Sequence, residues 1–349
     1  MRAVLVALVT LALGCEESSV PGGRPDAGGA IEDAAPADRD ASAPGTDASA
    51  PGPDASAPDR DAGAPDRDAS ATTPDAGPVD PLEGASDATL VDDGYEFLEG
   101  PLWRDGVLLF SDIPASTIYA LTPPSSVEVF RAPSGQANGL ARLPDGRLLA
   151  AEHAGRRVSV TEADGRVTSF ADRFEGKRFN SPNDLVVRSD GTVYFTDPPF
   201  GLSGARELDF NGVFRVAPDG SVHAEHRGST DSRPNGVALS PDERVLYVAD
   251  TAAREVRAYD VAADGSTSGE RVFASDTRNA DGMTIDAHGN LYVSTSDGVA
   301  VFAPDGDRWG TIPIPQVPAN CAFGGDDRRT LYVTAGDALY AVRLDVQGR

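Results

Sequence analysis

Apolar and polar residues alternate in short runs from about residue 88 onward, and almost every run ends at a turn. Typical runs are VLLF, VYF, VLYVA and LYVT, and Asp-Gly, Pro-Asp or single Gly residues lie between them. Short alternating runs bounded by such residues predict β-strands joined by tight turns. No stretch of this region has the 3.6-residue period of an amphipathic helix. The pattern therefore predicts an all-β protein.

The strand pattern repeats six times along the chain. Each unit has a polar leading residue, a short apolar strand, a turn such as PDG, a second apolar strand, then a third strand and a weaker fourth. The six leading residues, 39, 45, 52, 46 and 39 positions apart, are Glu99, Asn138, Asn183, Asn235, Asp281 and Asn320. Six four-stranded units of this period are typical of a six-bladed β-propeller. A β-sandwich is the alternative, but it does not require six copies of one unit.

The leading residues are expected to meet at the propeller axis, because the innermost strand of each blade runs along the central channel. Six oxygen-bearing side chains would be costly to bury there without partners. Ca²⁺ removes that cost, since it prefers carboxylate, amide and water oxygens, and Glu99 and Asp281 would balance its charge. The ring contains no His or Cys for a softer metal. Ca²⁺ is thus the expected ion, with Zn²⁺, Mg²⁺ or Mn²⁺ as alternatives, and ordinary turn dipeptides are the structural alternative.

The first 87 residues follow a different pattern. Residues 1–14 combine one basic residue with a short apolar run, which is typical of a secretory signal peptide. The end of this run, LALGC, resembles the lipobox of bacterial lipoproteins, which predicts cleavage before Cys15 and lipidation of its thiol; plain secretion is the alternative. Residues 15–87 are rich in Pro, Asp and Ala and are predicted to be a disordered tether. Residues 88–349 are the predicted propeller domain.

The net charge of the chain limits which binding partners are expected. The formal net charge is −25, and about half of it belongs to residues 16–87, which hold 17 acidic residues and four arginines. Such acidity argues against nucleic acid as a partner. We expect an exported monomer that is either secreted or held at the cell envelope, with membrane contact only through a lipid on Cys15.

Five segments taken in order resemble the regucalcin (senescence marker protein) and gluconolactonase family of propeller hydrolases. The segments are LEGPLW, ANGLARLPDGRLLAAEHAGRRV, FNSPNDLVVRSDGTVYFTDPPFGL, RPNGVALSPDERVLYVAD and DGMTIDAHGNLYV. The resemblance implies a six-bladed propeller with one divalent ion in its channel, held by Glu99, Asn235 and Asp281. It also implies that Asn183 ligates the ion or contacts substrate beside it. One departure is Ser181, where regucalcin-like members have an Arg.

The resemblance implies metal-assisted hydrolysis of a sugar lactone such as gluconolactone. The sequence contains no GxSxG motif, which would indicate a serine nucleophile. Asp281 is the first candidate for the general base, as the resemblance implies, with pure ligation as its alternative. His153 is the second candidate, because the ordinary pKa of an imidazole suits proton transfer near neutrality, and a bond to a backbone carbonyl is its alternative. The expected substrate contacts are Asn138, Asn183 and Asp197, the last with turn capping as its alternative.

The sequence is also compatible with two other functions. The first is a metal-dependent esterase or phosphotriesterase of the diisopropyl-fluorophosphatase type, which has a similar propeller and a similar ring of Glu, Asn, Asn and Asp. The second is a surface binding protein without catalytic activity, in which an ion only stabilises the channel.

Overall fold

The computed structural model describes residues 80–349, and these residues form β-strands and turns without a helix. The predicted signal peptide, Cys15 and most of the predicted tether lie outside the described residues. In the part of the chain that is described, no helix is long and apolar enough to cross a membrane.

The described residues contain 26 strands. In chain order they are β1 (Thr89–Asp93), β2 (Leu98–Arg104), β3 (Val107–Asp112), β4 (Thr117–Thr122), β5 (Ser126–Arg131), β6 (Ala137–Arg142), β7 (Leu148–Glu152), β8 (Arg157–Thr161), β9 (Val167–Ala171), β10 (Arg173–Phe174), β11 (Lys177–Arg178), β12 (Leu185–Val187), β13 (Val193–Asp197), β14 (Asn211–Val216), β15 (Val222–Gly228), β16 (Pro234–Leu239), β17 (Val245–Asp250), β18 (Glu255–Val261), β19 (Thr267–Ser275), β20 (Met283–Ile285), β21 (Leu291–Thr295), β22 (Gly298–Phe302), β23 (Arg308–Ile312), β24 (Pro318–Gly324), β25 (Thr330–Ala335) and β26 (Ala338–Arg343).

Six four-stranded antiparallel sheets confirm the six predicted blades. In the first five blades, four strands that follow one another in the chain pair in that order, namely β2–β5, β6–β9, β12–β15, β16–β19 and β20–β23. The innermost strand of each blade begins within two residues of its leading residue, before it in four blades and after it in two. A short hairpin of β10 and β11 between the second and third blades was not predicted.

The sixth blade is built from both ends of the described chain. Strands β24, β25 and β26 supply its three inner strands, and β1 is its outermost strand. Thr89 pairs with Ala341, and Asp93 pairs with Ala338. These backbone hydrogen bonds close the ring and cover an otherwise unpaired strand edge. Leu82 packs against the core of this blade, although the predicted tether extends to residue 87, so the ordered part begins earlier than predicted.

Apolar clusters fill the spaces between neighbouring blades. The described residues contain six clusters, and each one joins residues of two successive blades. The cluster that completes the circle packs Leu98 and Phe110 of the first blade against Tyr332 and Leu339 of the sixth. Because burial of apolar surface is the main favourable contribution to folding, the blades stabilise one another as a ring. This arrangement excludes a sandwich of two sheets.

Candidate active site at the propeller axis

We call the six leading residues together the hub. Glycine after a leading residue brings the innermost strands of neighbouring blades into contact. The Gly139 amide donates to the Asn183 carbonyl at 2.8 Å, and the Gly282 amide donates to the Ala319 carbonyl at 2.8 Å. A Cβ atom on Gly236 would lie 2.2 Å from the Asp281 carbonyl oxygen, which is closer than van der Waals contact permits. Glycine therefore allows the close approach that brings the leading residues together at the axis.

Amide hydrogen bonds join three hub residues from successive blades. Asn138 Nδ2 donates to Asn183 Oδ1 at 2.8 Å, and Asn183 Nδ2 donates to Asn235 Oδ1 at 2.6 Å. Asn235 Nδ2 donates to the Thr251 hydroxyl at 3.1 Å. All three asparagines are buried. The leading residues of blades two, three and four thus form one connected polar array.

The two predicted carboxylates belong to the same centre. Burial, followed by the negative charges of Asp281 and Asp184, raises the pKa of Glu99 well above its usual range. Burial, followed by the charge of Asp184, raises the pKa of Asp281 to about 7, and hydrogen bonds from Asn235 and Gly282 oppose the shift. No basic side chain contributes to either shift. Among the described residues, neither carboxylate has an ion pair with a basic side chain, so the site concentrates negative charge.

Asp184 is a third carboxylate that the sequence reasoning missed. It follows the leading residue Asn183, at a position where four of the other five units have glycine. Its Oδ1 accepts from the Leu185 amide at 2.9 Å, and its Oδ2 accepts from the Val237 amide at 3.2 Å. Burial raises its pKa to about 7. The sequence signal that could have identified it is the Asp of SPND, which occupies the position that is glycine in four other units.

His153 lies in the hub region and contacts two of the asparagines. Its Nε2 is 3.1 Å from Asn183 Oδ1 and 3.4 Å from Asn138 Nδ2. Burial lowers the pKa of the imidazole, so the ring is neutral near pH 7. A Cβ on Gly201 would be 2.4 Å from Cγ of His153, so the loop after β13 lies directly on the ring. The position suits a residue that orients Asn183.

Ser181 holds the loop that covers His153. Its hydroxyl accepts a hydrogen bond from the Gly201 amide at 3.0 Å, and the serine is fully buried. The residue that departs from the regucalcin-like pattern therefore fixes a loop in this protein.

The expected contact of Asp197 with substrate does not agree with the structure. Asp197 is 0% exposed, and its two carboxylate oxygens accept from the amides of Asn180 and Ser181, each at 2.7 Å. Asp112 and Asp250 accept backbone N–H groups at the equivalent ends of their second strands. Both carboxylate oxygens of Asp197 therefore cap the turn before the third blade, and turn capping is the alternative considered from the sequence.

A cavity of about 430 Å³ runs along the innermost strands on one side of the hub. Asp184 and Asn320 line it, together with apolar side chains such as Leu140 and Met283. Most of its lining comes from the residues that follow the leading positions in all six blades, and Arg142, Arg328 and Arg349 add basic side chains. Asp184 therefore contacts this cavity, whereas His153 lies under the loop after β13.

The residues of the centre fit a hard cation. In addition to the carboxylates, Oδ1 of Asn138 is buried and has no hydrogen-bond partner among the residues that the structure describes, as expected of an oxygen that is free for a ligand. Within residues 80–349, no three His, Cys, Asp or Glu side chains are close enough to hold an ion by themselves. Amide oxygens must therefore take part, which is the donor set that Ca²⁺ accepts and softer metals do not prefer.

Comparison with known proteins agrees with this architecture. Residues 97–337 match the family described as SMP-30/Gluconolactonase/LRE-like region. The chain belongs to this family. A gluconolactonase from Zymomonas mobilis is 36% identical over 76% of this chain and 84% of its own length. Regucalcin from Xenopus laevis is 30% identical over 70% of this chain and 85% of its own length.

A solved structure extends the family assignment to three dimensions. A gluconolactonase from Xanthomonas campestris superposes with a TM-score of 0.69 at 34% identity. The match covers 74% of this chain and 89% of that structure. The predicted resemblance to the family is thus confirmed by sequence and by fold.

Proposed function

We propose that this protein hydrolyses a sugar lactone with the help of one divalent cation, Ca²⁺, bound at the hub. The observation that carries the proposal is the convergence of carboxylates and amides from different blades, without a basic partner among the described residues, in a chain 36% identical to a gluconolactonase. A relative named pentonolactonase, at 28% identity, also supports a lactone as the substrate class.

Glu99, Asn183, Asn235 and Asp281 are the residues that would hold the ion. A bound divalent cation supplies a Lewis acid that polarises a lactone carbonyl and stabilises negative charge on its oxygen. Asn138 completes the polar wall, because its Oδ1 is buried and has no partner among residues 80–349. We assign Asn138 and Asn183 to the side of the centre that meets the substrate.

Asp281 is our candidate for the group that takes the proton from the attacking water. Glu99 is 3% and Asp184 is 7% exposed, whereas Asp281 as a whole residue is more exposed than either, which favours it over the other two as the group that meets a water. His153 acts through its contact with Asn183, which makes it a positioning residue in our account. A general base must lie within hydrogen-bond reach of the proton that it removes.

A substrate panel with and without chelator tests this function. We expect turnover of gluconolactone or a pentonolactone that is lost with chelator and restored by Ca²⁺. Asp281→Ala should lose both metal binding and turnover, and Asp260→Ala, which removes an exposed carboxylate on β18, should lose neither. Turnover of aryl esters or organophosphates alone would contradict the assigned substrate class. Full lactonase activity in Asp281→Ala would contradict the assigned site.

A further inference from the structure

Asp184 has no assigned role, although it is fixed in a place where the repeat has glycine. Its two backbone hydrogen bonds, from Leu185 of its own strand and Val237 of the next blade, hold the carboxylate between blades three and four. Gly139 of the second blade closes on it, since a Cβ there would be 2.5 Å from Asp184 Oδ1. Groups from three blades therefore fix the position of this carboxylate.

The environment of Asp184 does not compensate its charge. Backbone amides and Asn320 are the groups that favour its ionised form, and no described Arg, Lys or His forms an ion pair with it, although Arg142, Arg328 and Arg349 line the same cavity. Glu99 and Asp281 are near enough that the charge of Asp184 acts on both. With all three ionised, the centre carries one negative charge more than a divalent cation neutralises.

A second observation points to a ligand at the hub. Asn138 is 3% exposed, and its Oδ1 has no partner in the described part of the chain, although its Nδ2 is bonded to Asn183 in the hub. An orphaned buried acceptor in a hub that also holds buried carboxylates is explained by a cation that the described protein atoms do not supply.

We propose that Asp184 is the residue that sets the charge preference of the metal centre, by placing a third fixed carboxylate on the cavity side of the hub. This inference rests on the metal centre proposed above. Asp184 acts on the cation through space, and its two oxygens stay bonded to backbone amides. The excess negative charge favours cations of higher charge over Ca²⁺.

The loss of affinity should depend on the charge of the ion, because Coulomb energy is proportional to the charge of the cation. Removing the carboxylate should lower the logarithm of the affinity for a trivalent ion about 1.5 times as much as that for a divalent ion. If Asp184→Asn raises the dissociation constant for Ca²⁺ about tenfold, it should raise that for Tb³⁺ about thirtyfold. A loss of packing or of rigidity would weaken both ions by the same factor.

The experiment measures dissociation constants for Ca²⁺ by calorimetry and for Tb³⁺ by luminescence, at fixed pH and ionic strength. The variants are Asp184→Asn, which keeps the shape of the side chain, and Asp184→Gly, which restores the residue found in four other units. The control is Asp286→Asn. Asp286 is 0% exposed and accepts two backbone amides, those of His288 and Asn290, both at 2.9 Å. It lies five residues beyond Asp281, about 16 Å along an extended strand.

Each outcome bears on a different claim. We expect a larger loss for Tb³⁺ than for Ca²⁺ in both Asp184 variants and unchanged affinities in Asp286→Asn. Equal losses for the two ions, or none, would overturn the role of Asp184 and leave the metal centre standing. Absence of binding of either ion to the unchanged protein would overturn the metal centre itself.

Discussion

At the residue scale, the site combines two kinds of polar group. Carboxylates from blades one, three and five carry charge, whereas asparagines from blades two, three and four add oxygens without adding charge. An amide can bond to its neighbours in the ring and still offer a lone pair inward. The amide chain from Asn138 to Asn235 therefore fixes the orientation of the ring before any ligand arrives.

The role of His153 is tested by removing its contact with Asn183. We expect His153→Ala to retain Ca²⁺ affinity within a few-fold and to lower kcat about tenfold or more, because Asn183 loses a bond that orients it. Since burial keeps the imidazole neutral, the pH–rate profile near neutrality should keep its shape. His153→Gln, which can still donate to Asn183, should recover part of the rate. A lost inflection in the profile of His153→Ala would instead make His153 the general base.

At the element scale, the site depends on how closely the innermost strands approach. The peptide after a leading residue lies against the next blade, so the residue there is glycine in four units. Cys321 takes this position in the sixth unit, where it is buried, and burial raises its pKa to about 12. The thiol is thus a small, protonated part of the channel wall.

Strand approach is tested with Gly236→Ala. The added methyl group would meet the Asp281 carbonyl oxygen at 2.2 Å, so blades four and five must separate. We expect a lower melting temperature and at least tenfold weaker Ca²⁺ binding. Gly310→Ala on β23 is the control, because its Cβ would meet only the flexible Leu82 side chain. Equal effects of the two substitutions would contradict the special role of the hub glycines.

Much of this arrangement could be predicted from the sequence, because the repeat is local. A leading residue, a turn and two strands recur in phase, and the phase alone places Asn138, Asn183 and Asn235 on one ring. The pairing of β1 with β26 was not predictable, since a weak strand with exposed Leu90 carries no signal of its partner about 250 residues away. Asp184 was missed because its importance depends on contacts with other blades.

At the scale of the whole molecule, the closed ring supports a centre that is unfavourable without its ligand. Six apolar clusters and the β1–β26 pairing hold the carboxylates together against their mutual repulsion. Strain of this kind is typical of functional sites, where the fold stabilises an arrangement that its own side chains oppose.

The pH dependence of the metal-free protein should reveal this repulsion. The folded pKa values of Asp184 and Asp281, each about 7, lie above the ordinary value of 3.8. Their contribution to stability is therefore complete below about pH 4 and is lost as the pH rises through about 7. Melting temperatures of chelated protein should fall between pH 5 and pH 8, and saturating Ca²⁺ should reduce that fall. A melting temperature of chelated protein that rises over this interval would contradict the charge balance described here.

The central claim is that oxygens from different blades bind one ion at the axis, and diffraction from crystals grown with Tb³⁺ or Ca²⁺ tests it most directly. The account predicts a single strong anomalous peak on the axis, with oxygens of Glu99, Asn183, Asn235 and Asp281 at about 2.3–2.6 Å. A peak elsewhere, or an axis without an ion in crystals of protein whose lactonase activity depends on the metal, would contradict it.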